Sequence, residues 1–318
     1  MKKILCIGEA LIDMICTDKG SALSDGNHFL KKAGGAPMNV AAAIAALGGD
    51  VAVSAKVGAD PFGKHLIEVL NSFKVDTSKV LVDKDNFTTF AFVSLMENGE
   101  RDFYFNRGAD RMLSETDIST IKVNEFGIAH FGSATAFLPG PLQATYYSLL
   151  EKAKSENLFI SFDPNYRQLL FGDNQPEFIN RSWEYIKQAD FFKVSDEEAM
   201  LITGKSTIEE AANCFFETTS AVFAITLGKE GTLLGFNKTT SIIPSIPIQP
   251  VDTTGAGDAF VGAVLYQLAH YNKSEIEQLQ EENWKLIFNK ANKAGARTCE
   301  YMGAMEAFKH LSNEILNS

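Results

Sequence analysis

Short apolar runs alternate with stretches of helical pattern along most of the chain. KILCIG (3–8) reads as a buried strand, PMNVAAAIAAL (37–47) as a helix, DVAVSAKV (50–57) as a strand and KHLIEVLNSF (64–73) as a helix. Further on, IAHF precedes PLQATYYSLLEKAKSE, LFISFD precedes FINRSWEYIKQ, DFFKV precedes DEEAMLI, and AVFAIT follows. Pro37 in a first turn and Gly48 with Gly49 at the other end mark one helix by the usual asymmetry. Such alternation implies a mostly parallel sheet covered by helices. Its strands are buried on both faces, so they read as continuous apolar runs. At 318 residues this suits one large α/β domain with a small appendage.

Two regions break the rhythm. FTTFAFVSLM (87–96) and RDFYFNR (101–107) read as strands joined at Glu97, Asn98, Gly99 and Glu100, and Asn-Gly is a strong hairpin signal. Residues 10–33 lack a helical pattern but hold two β-capable pieces, LIDMIC and HFLKKA. These four pieces are expected to form a small sheet of their own, with a face that a substrate or a partner subunit covers.

Composition excludes several functions. The formal charge of −11 repels nucleic acid, and the only clustered lysines are Lys2-Lys3 and Lys31-Lys32, so a small-molecule partner is expected. The four cysteines show no C-x-x-C pair and the five histidines no H-x-x-x-H, which argues against structural zinc and fits a reducing cytoplasm. The start, MKKILCIGEALIDMI, is interrupted by Glu9 and Asp13 and reads as a buried strand rather than a signal peptide. No run reaches the roughly 18 apolar residues of a membrane helix.

GADPFGKH (58–65) matches the first seven positions of a P-loop, but His65 stands where the Mg²⁺-binding hydroxyl belongs and Asp60 opposes phosphate. It reads as a strand-to-helix turn capped at Asp60-Pro61. GAGDAF fails as a dinucleotide fingerprint because Phe260 replaces the third glycine. On its own physics, VDTTGAGDAF (251–260) opens a helix. Thr253 or Thr254 can cap it. Gly255 and Gly257 let the amides of residues 255–258 turn outward as an anion cradle reinforced by the helix dipole. One donor of this kind is worth about 10²–10³ in rate. Asp258 beside the cradle can take a proton from an incoming hydroxyl, a contribution of about 10²–10⁴, or can merely favour the dipole. A second glycine pair, Gly34 and Gly35, lets a ligand approach the backbone of another helix start, where Asn39 offers a donor and an acceptor suited to sugar hydroxyls.

Together these regions resemble the ribokinase-like (PfkB) family of carbohydrate kinases. GGAPMNVAAAIAALGGDVAVSAKVGADPFG is similar to the family's N-terminal signature and DTTGAGDAFVGAV to its C-terminal one. The likeness runs from GEALID to AGARTCEYMGAM. It implies a single ribokinase-like domain over 1–318, a three-layer α/β/α sandwich with a mostly parallel central sheet. The segments about 10–33 and 87–110 would form a small β-sheet lid, which in many relatives is also the dimer interface. IGEALIDMI, FLKKAGGAPMNVA, TTFAFVSL, GERDFYFNRGAD and DPNYR resemble bacterial fructokinases, implying ATP + D-fructose → ADP + D-fructose 6-phosphate. Kinases for ribose, 2-keto-3-deoxygluconate, another hexose or a nucleoside remain as alternatives, as does a sugar- or nucleotide-binding sensor on the same fold.

Residue by residue, the resemblance assigns Asp258 as base and the backbone of Gly255, Ala256 and Gly257 as anion hole. Asp13, Gly34, Gly35 and Asn39 match sugar-binding positions. Phe103, Phe105 and Arg107 share one strand face by the period-two rule and would cover the sugar. Arg167 follows a strand end and would grip phosphate. Thr226, Gly228 and Gly231 resemble an ATP-site turn, and Asn292 an adenine-pocket position. Ser195 stands where the family's N-x-x-E motif has asparagine, while Glu198 keeps the glutamate tied to Mg²⁺. The ion arrives with ATP and keeps several waters. Asp252 and Thr254, with carbonyls near Gly303, fit a monovalent cation such as K⁺.

Overall fold

The computed structural model describes residues 1–96 and 101–317. Nine strands form the large sheet: β1 (Ile4–Ile7), β4 (Val51–Gly58), β5 (Val80–Asp83), β8 (Ile128–Phe131), β9 (Phe159–Phe162), β10 (Phe191–Ser195), β11 (Val222–Thr226), β12 (Thr232–Phe236) and β13 (Thr239–Ile243), in the order β13-β12-β11-β10-β9-β8-β1-β4-β5. All pairings are parallel except those of β12 with its neighbours β11 and β13. The central strands ILCI, IAHF and FISF are buried along their whole length, as their apolar runs require.

Alternate residues of each strand feed two cores. Ile4, Cys6, Val51, Val53 and Phe191 pack with the helices Ala36–Ala46, Ala256–Leu268 and Glu281–Thr298 on one face. Leu5, Ile7, Ala52, Phe192 and Val194 pack with Pro141–Ser155, Gln175–Ile186 and Ile208–Thr218 on the other. The result is the expected three-layer α/β/α arrangement. No helix among the described residues is long and apolar enough to cross a membrane.

The four stray pieces form a second sheet, ordered β3 (Phe29–Gly34), β2 (Leu11–Cys16), β6 (Phe90–Leu95), β7 (Arg101–Asn106). The predicted hairpin turn lies outside the described residues. The β2–β6 pair is parallel and the outer pairs are antiparallel. Asp60 caps the helix Pro61–Ser72 as expected, accepting the Phe62 and Gly63 amides at 2.9 Å each. Its other oxygen accepts the Thr88 amide at 2.7 Å and so anchors the approach to β6. The Phe62 and Gly63 amides that a P-loop would turn toward phosphate are thus already taken by a carboxylate.

The β12–β13 hairpin was not legible in the sequence. Its turn uses Asn237 and Lys238, both at positive φ (45° and 65°), where glycine is the usual signal.

Candidate active site

Two helix starts meet at the carboxyl ends of the strands. The helices Ala36–Ala46 and Ala256–Leu268 are buried for most of their length and pack closely because small residues line their contact. A Cβ on Gly262 would come within 2.8 Å of the Ala43 Cβ. That close approach lets Asn39 Nδ2 donate to Asp258 Oδ2 at 2.8 Å. Asp258 is 7 % exposed. Burial raises its pKa, and the Asn39 hydrogen bond and the charges of Arg167 and Lys193 only partly offset this. Asn39 Oδ1 is buried and has no partner among the described residues, so it stays available to a hydroxyl donor.

Gly255 begins the second helix in the left-handed region (φ 84°), and a Cβ there would strike Ala304. The expected threonine cap is absent. Thr254 instead gives its hydroxyl and amide to Asp252 Oδ1, at 2.7 and 2.9 Å. Among the described residues, only Ala256 of the first three helical amides finds an acceptor, the Thr253 carbonyl at 3.2 Å. The Gly257 and Asp258 amides are left for an anion.

Across from this start, Asp13 stands on β2 in register with Lys32, Ala91 and, one strand further, Phe105. A Cβ on Gly34 would lie 2.2 Å from Asp13 Oδ2, so glycine makes room for the carboxylate. A Cβ on Gly35 (φ 108°) would lie 2.5 Å from the Glu9 carbonyl. Burial pushes Asp13 up to about 6, against the pull of the Arg167 guanidinium. Phe103 and Phe105 stack at 6.2 Å on the Asp13 face, as the period-two rule expects. Arg107 departs from that rule, because β7 stops at Asn106. Its Nε, Nη1 and Nη2 donate to Asp110, the Pro139 carbonyl and the Thr135 carbonyl at 3.0, 2.9 and 2.9 Å, so it braces the loop beneath the small sheet. Arg167 is exposed beyond β9 and close enough to both Asp13 and Asp258 to lower their pKa values.

On the other side, Ser195 and Glu198 form a reciprocal capping box: Glu198 N donates to Ser195 Oγ at 3.1 Å and Ser195 N to Glu198 Oε2 at 2.7 Å. Glu198 Oε1 also accepts the Tyr166 amide at 2.7 Å, which ties this box to the Arg167 loop. Thr226 ends β11, and Gly228 and Gly231 shape the next turn with positive φ (58° and 110°). Asn292 is spent on the protein itself. Its Oδ1 accepts from Thr232 Oγ1 at 2.6 Å and its Nδ2 donates to the Ile243 carbonyl at 2.9 Å, fixing the helix Glu281–Thr298 to β12 and β13. Asp252 Oδ2 accepts the Gly303 amide at 2.8 Å. Burial alone would raise the Asp252 pKa, but the bonds from Thr254 and Gly303 outweigh it and hold it low. The charged carboxylate thus ties the loop of Asp252 and Thr254 to the separate turn at Gly303.

Sequence reasoning missed the buried carboxyl groups of Glu9, Asp83, Asp110 and Asp163 and the buried amine of Lys193. Lys193 carried a signal, a lone cation inside the buried strand FFKVS. Glu9 accepts from the Ala36 amide at 3.1 Å, the Ala134 amide at 3.3 Å and the Ser133 hydroxyl, and burial raises its pKa.

A buried carboxylate beside an open helix start, at the carboxyl end of a mostly parallel sheet, is the equipment for moving a phosphoryl group onto a hydroxyl. The fold and this site define a kinase of ribokinase-like architecture. A pfkB family carbohydrate kinase model matches residues 1–310, and the chain belongs to that family. It is 35 % identical over 309 residues to "Probable fructokinase-2" of Arabidopsis thaliana, covering 96 % of this chain and 92 % of that one. Fructokinase from Vibrio cholerae O395, solved with fructose, ADP and calcium ion bound, is 32 % identical with a TM-score of 0.85, covering 100 % of this chain and 98 % of that one. Fructokinase from Xylella fastidiosa with bound ATP is 26 % identical with a TM-score of 0.87, covering 99 % and 97 %.

Proposed function

We propose that this carbohydrate kinase is a fructokinase that transfers the γ-phosphoryl group of ATP to D-fructose, giving ADP and D-fructose 6-phosphate. The observation that carries the mechanism is the Asn39–Asp258 bond of 2.8 Å beside the open amides of Gly257 and Asp258. Asp258 takes the proton of the sugar hydroxyl, the new O–P bond forms, and the P–O bond to ADP breaks. The Gly255–Ala256–Gly257 backbone receives the charge that builds on the phosphoryl oxygens. Asn39 holds the base and offers Oδ1 to a sugar hydroxyl. Asp13, Gly34 and Gly35 form the sugar floor, Phe103 and Phe105 its apolar cover, and Arg167 reaches the phosphate. Thr226, Gly228 and Gly231 shape the nucleotide turn. Fructose is favoured over other acceptors by the substrate bound in the Vibrio cholerae relative.

Mg²⁺ carried by ATP would supply charge neutralisation. Glu198, pinned by the Tyr166 and Ser195 amides, is the residue proposed to act on that ion, indirectly through its waters. Asp252, Thr254 and the Gly303 loop are the position proposed for K⁺. The small sheet acts as a lid that excludes water. Exposed Ile15, Leu30, Leu95 and Tyr104 on it support a homodimer through the lid. Four free cysteines support a cytoplasmic setting.

A coupled ADP-release assay over a sugar panel tests the substrate. The highest kcat/KM is expected on D-fructose; a higher value on ribose, 2-keto-3-deoxygluconate or a nucleoside would replace that substrate.

A further inference from the structure

Lys193 is the only lysine or arginine buried among the described residues. The period of β10 sends it to the same face as Phe191, the side on which the helix Ala256–Leu268 packs. A buried ammonium is costly unless it is paired. Yet its hydrogen-bonding partner, Asp163, lies 3.5 Å away at Oδ1 and 3.3 Å at Oδ2, both long for a charged pair. A lysine kept only to neutralise Asp163 would close to a shorter contact. On its other side Lys193 meets the helix start: a Cβ on Gly257 would lie 3.3 Å from Nζ. Burial lowers its pKa, but the charges of Asp163, Glu198 and Asp258 outweigh burial and hold it above the ordinary lysine value.

We propose that Lys193 is a catalytic residue, its ammonium touching the transferring phosphoryl group from the Gly257 side and completing the cradle begun by the Gly257 and Asp258 amides. This rests on the kinase reading above. Lys193 gives up no proton: the hydroxyl proton goes to Asp258, the O–P bond forms, the bond to ADP breaks, and Nζ stays an ammonium throughout. With one loosely held carboxylate partner, it has donors to spare for phosphoryl oxygens. The carboxylates around it keep it charged without binding it tightly enough to hide it. Asp163, reached from the end of β9, sets its position.

The test compares wild-type protein, Lys193→Met, Asp163→Asn and the double variant Asp163→Asn/Lys193→Met, using ATP and D-fructose. Lys193→Met is expected to lower kcat by about 100-fold or more, the size of a lost oxyanion donor, while KM for fructose stays within threefold. The double variant leaves no unpaired buried charge, so it decides the matter if the single variant does not fold. It is expected to be as slow as Lys193→Met, with a melting temperature near that of wild type. A double variant within threefold of wild-type kcat would show that Lys193 only neutralises Asp163, and would overturn the proposal. So would a folded Lys193→Met protein with near-normal kcat. A wild-type protein with no sugar-dependent ADP release would overturn the kinase reading and this proposal together, which separates that failure from the others.

Discussion

The two buried helices that meet at the site begin alike and end up with opposite uses. Ala36–Ala46 and Ala256–Leu268 each follow a positive-φ glycine, Gly35 or Gly255, and neither has a side-chain cap. At the first, the anion is built in. Glu9 accepts the Ala36 amide and Pro37 has no amide to offer, so of the first three positions only the Met38 amide lacks an acceptor among the described residues. At the second, the Gly257 and Asp258 amides are open, and the neighbouring charges are a base and an ammonium. A glycine-rich helix start is therefore not by itself a phosphate site. What distinguishes the two is whether a carboxylate of the protein already occupies the start. The sealed start can serve as a rigid floor, while the open one can hold charge that appears only during transfer.

The comparison can be broken on the open side first. Asp258→Asn keeps the size of the side chain but removes the base. It is expected to lower kcat about 10³-fold, with ATP and fructose affinities by calorimetry within threefold of wild type. Next comes the spacing between the helices. Gly262→Leu would drive Ala43 away and is expected to cost about 2–3 kcal/mol in chemical denaturation, with a further loss of kcat as Asn39 leaves Asp258. On the sealed side, Glu9→Gln puts an amide among the donors that Glu9 now accepts. It is expected to cost about 1–2 kcal/mol and to raise KM for the sugar more than it lowers kcat.

The smallest effect concerns Asp13, beside the sealed start. Its folded pKa of about 6 lies above the usual value, so the folded chain holds the extra proton between about pH 4 and 6. Stability from this group is greatest at low pH and is lost as pH rises through about 6. Asp13→Asn should therefore stabilise the protein by about 1–2 kcal/mol above that range, with the gain fading toward pH 4. In the wild-type enzyme kcat/KM for the sugar should decline as pH falls through about 6.

The β/α alternation carried most of the fold, because strands buried on both faces cannot hide their apolar runs. The small sheet was legible for the opposite reason, as four pieces in the wrong rhythm. Asp258, Asn39 and the two glycine pairs could be placed because each sits on a local motif with its own physics, while Asp13 was placed only by the family resemblance. Lys193, Asp163 and Glu9 could not. Their partners lie in distant segments, with Glu9 meeting Ser133 and Lys193 meeting Gly257, so only the folded chain brings them together. Arg107 and the threonine cap show the converse. Local rules suggested a face for one and a hydrogen bond for the other, and both side chains found better partners nearby.

The contrast between the two helix starts is tested most directly by following backbone amides in an assigned TROSY spectrum on addition of ADP, aluminium fluoride and D-fructose. The Gly257 and Asp258 amide resonances are expected to move strongly while that of Ala36, already bonded to Glu9, moves little. Unchanged Gly257 and Asp258 resonances in a protein that binds the nucleotide would contradict the assignment of the open start as the place where the phosphoryl group is held.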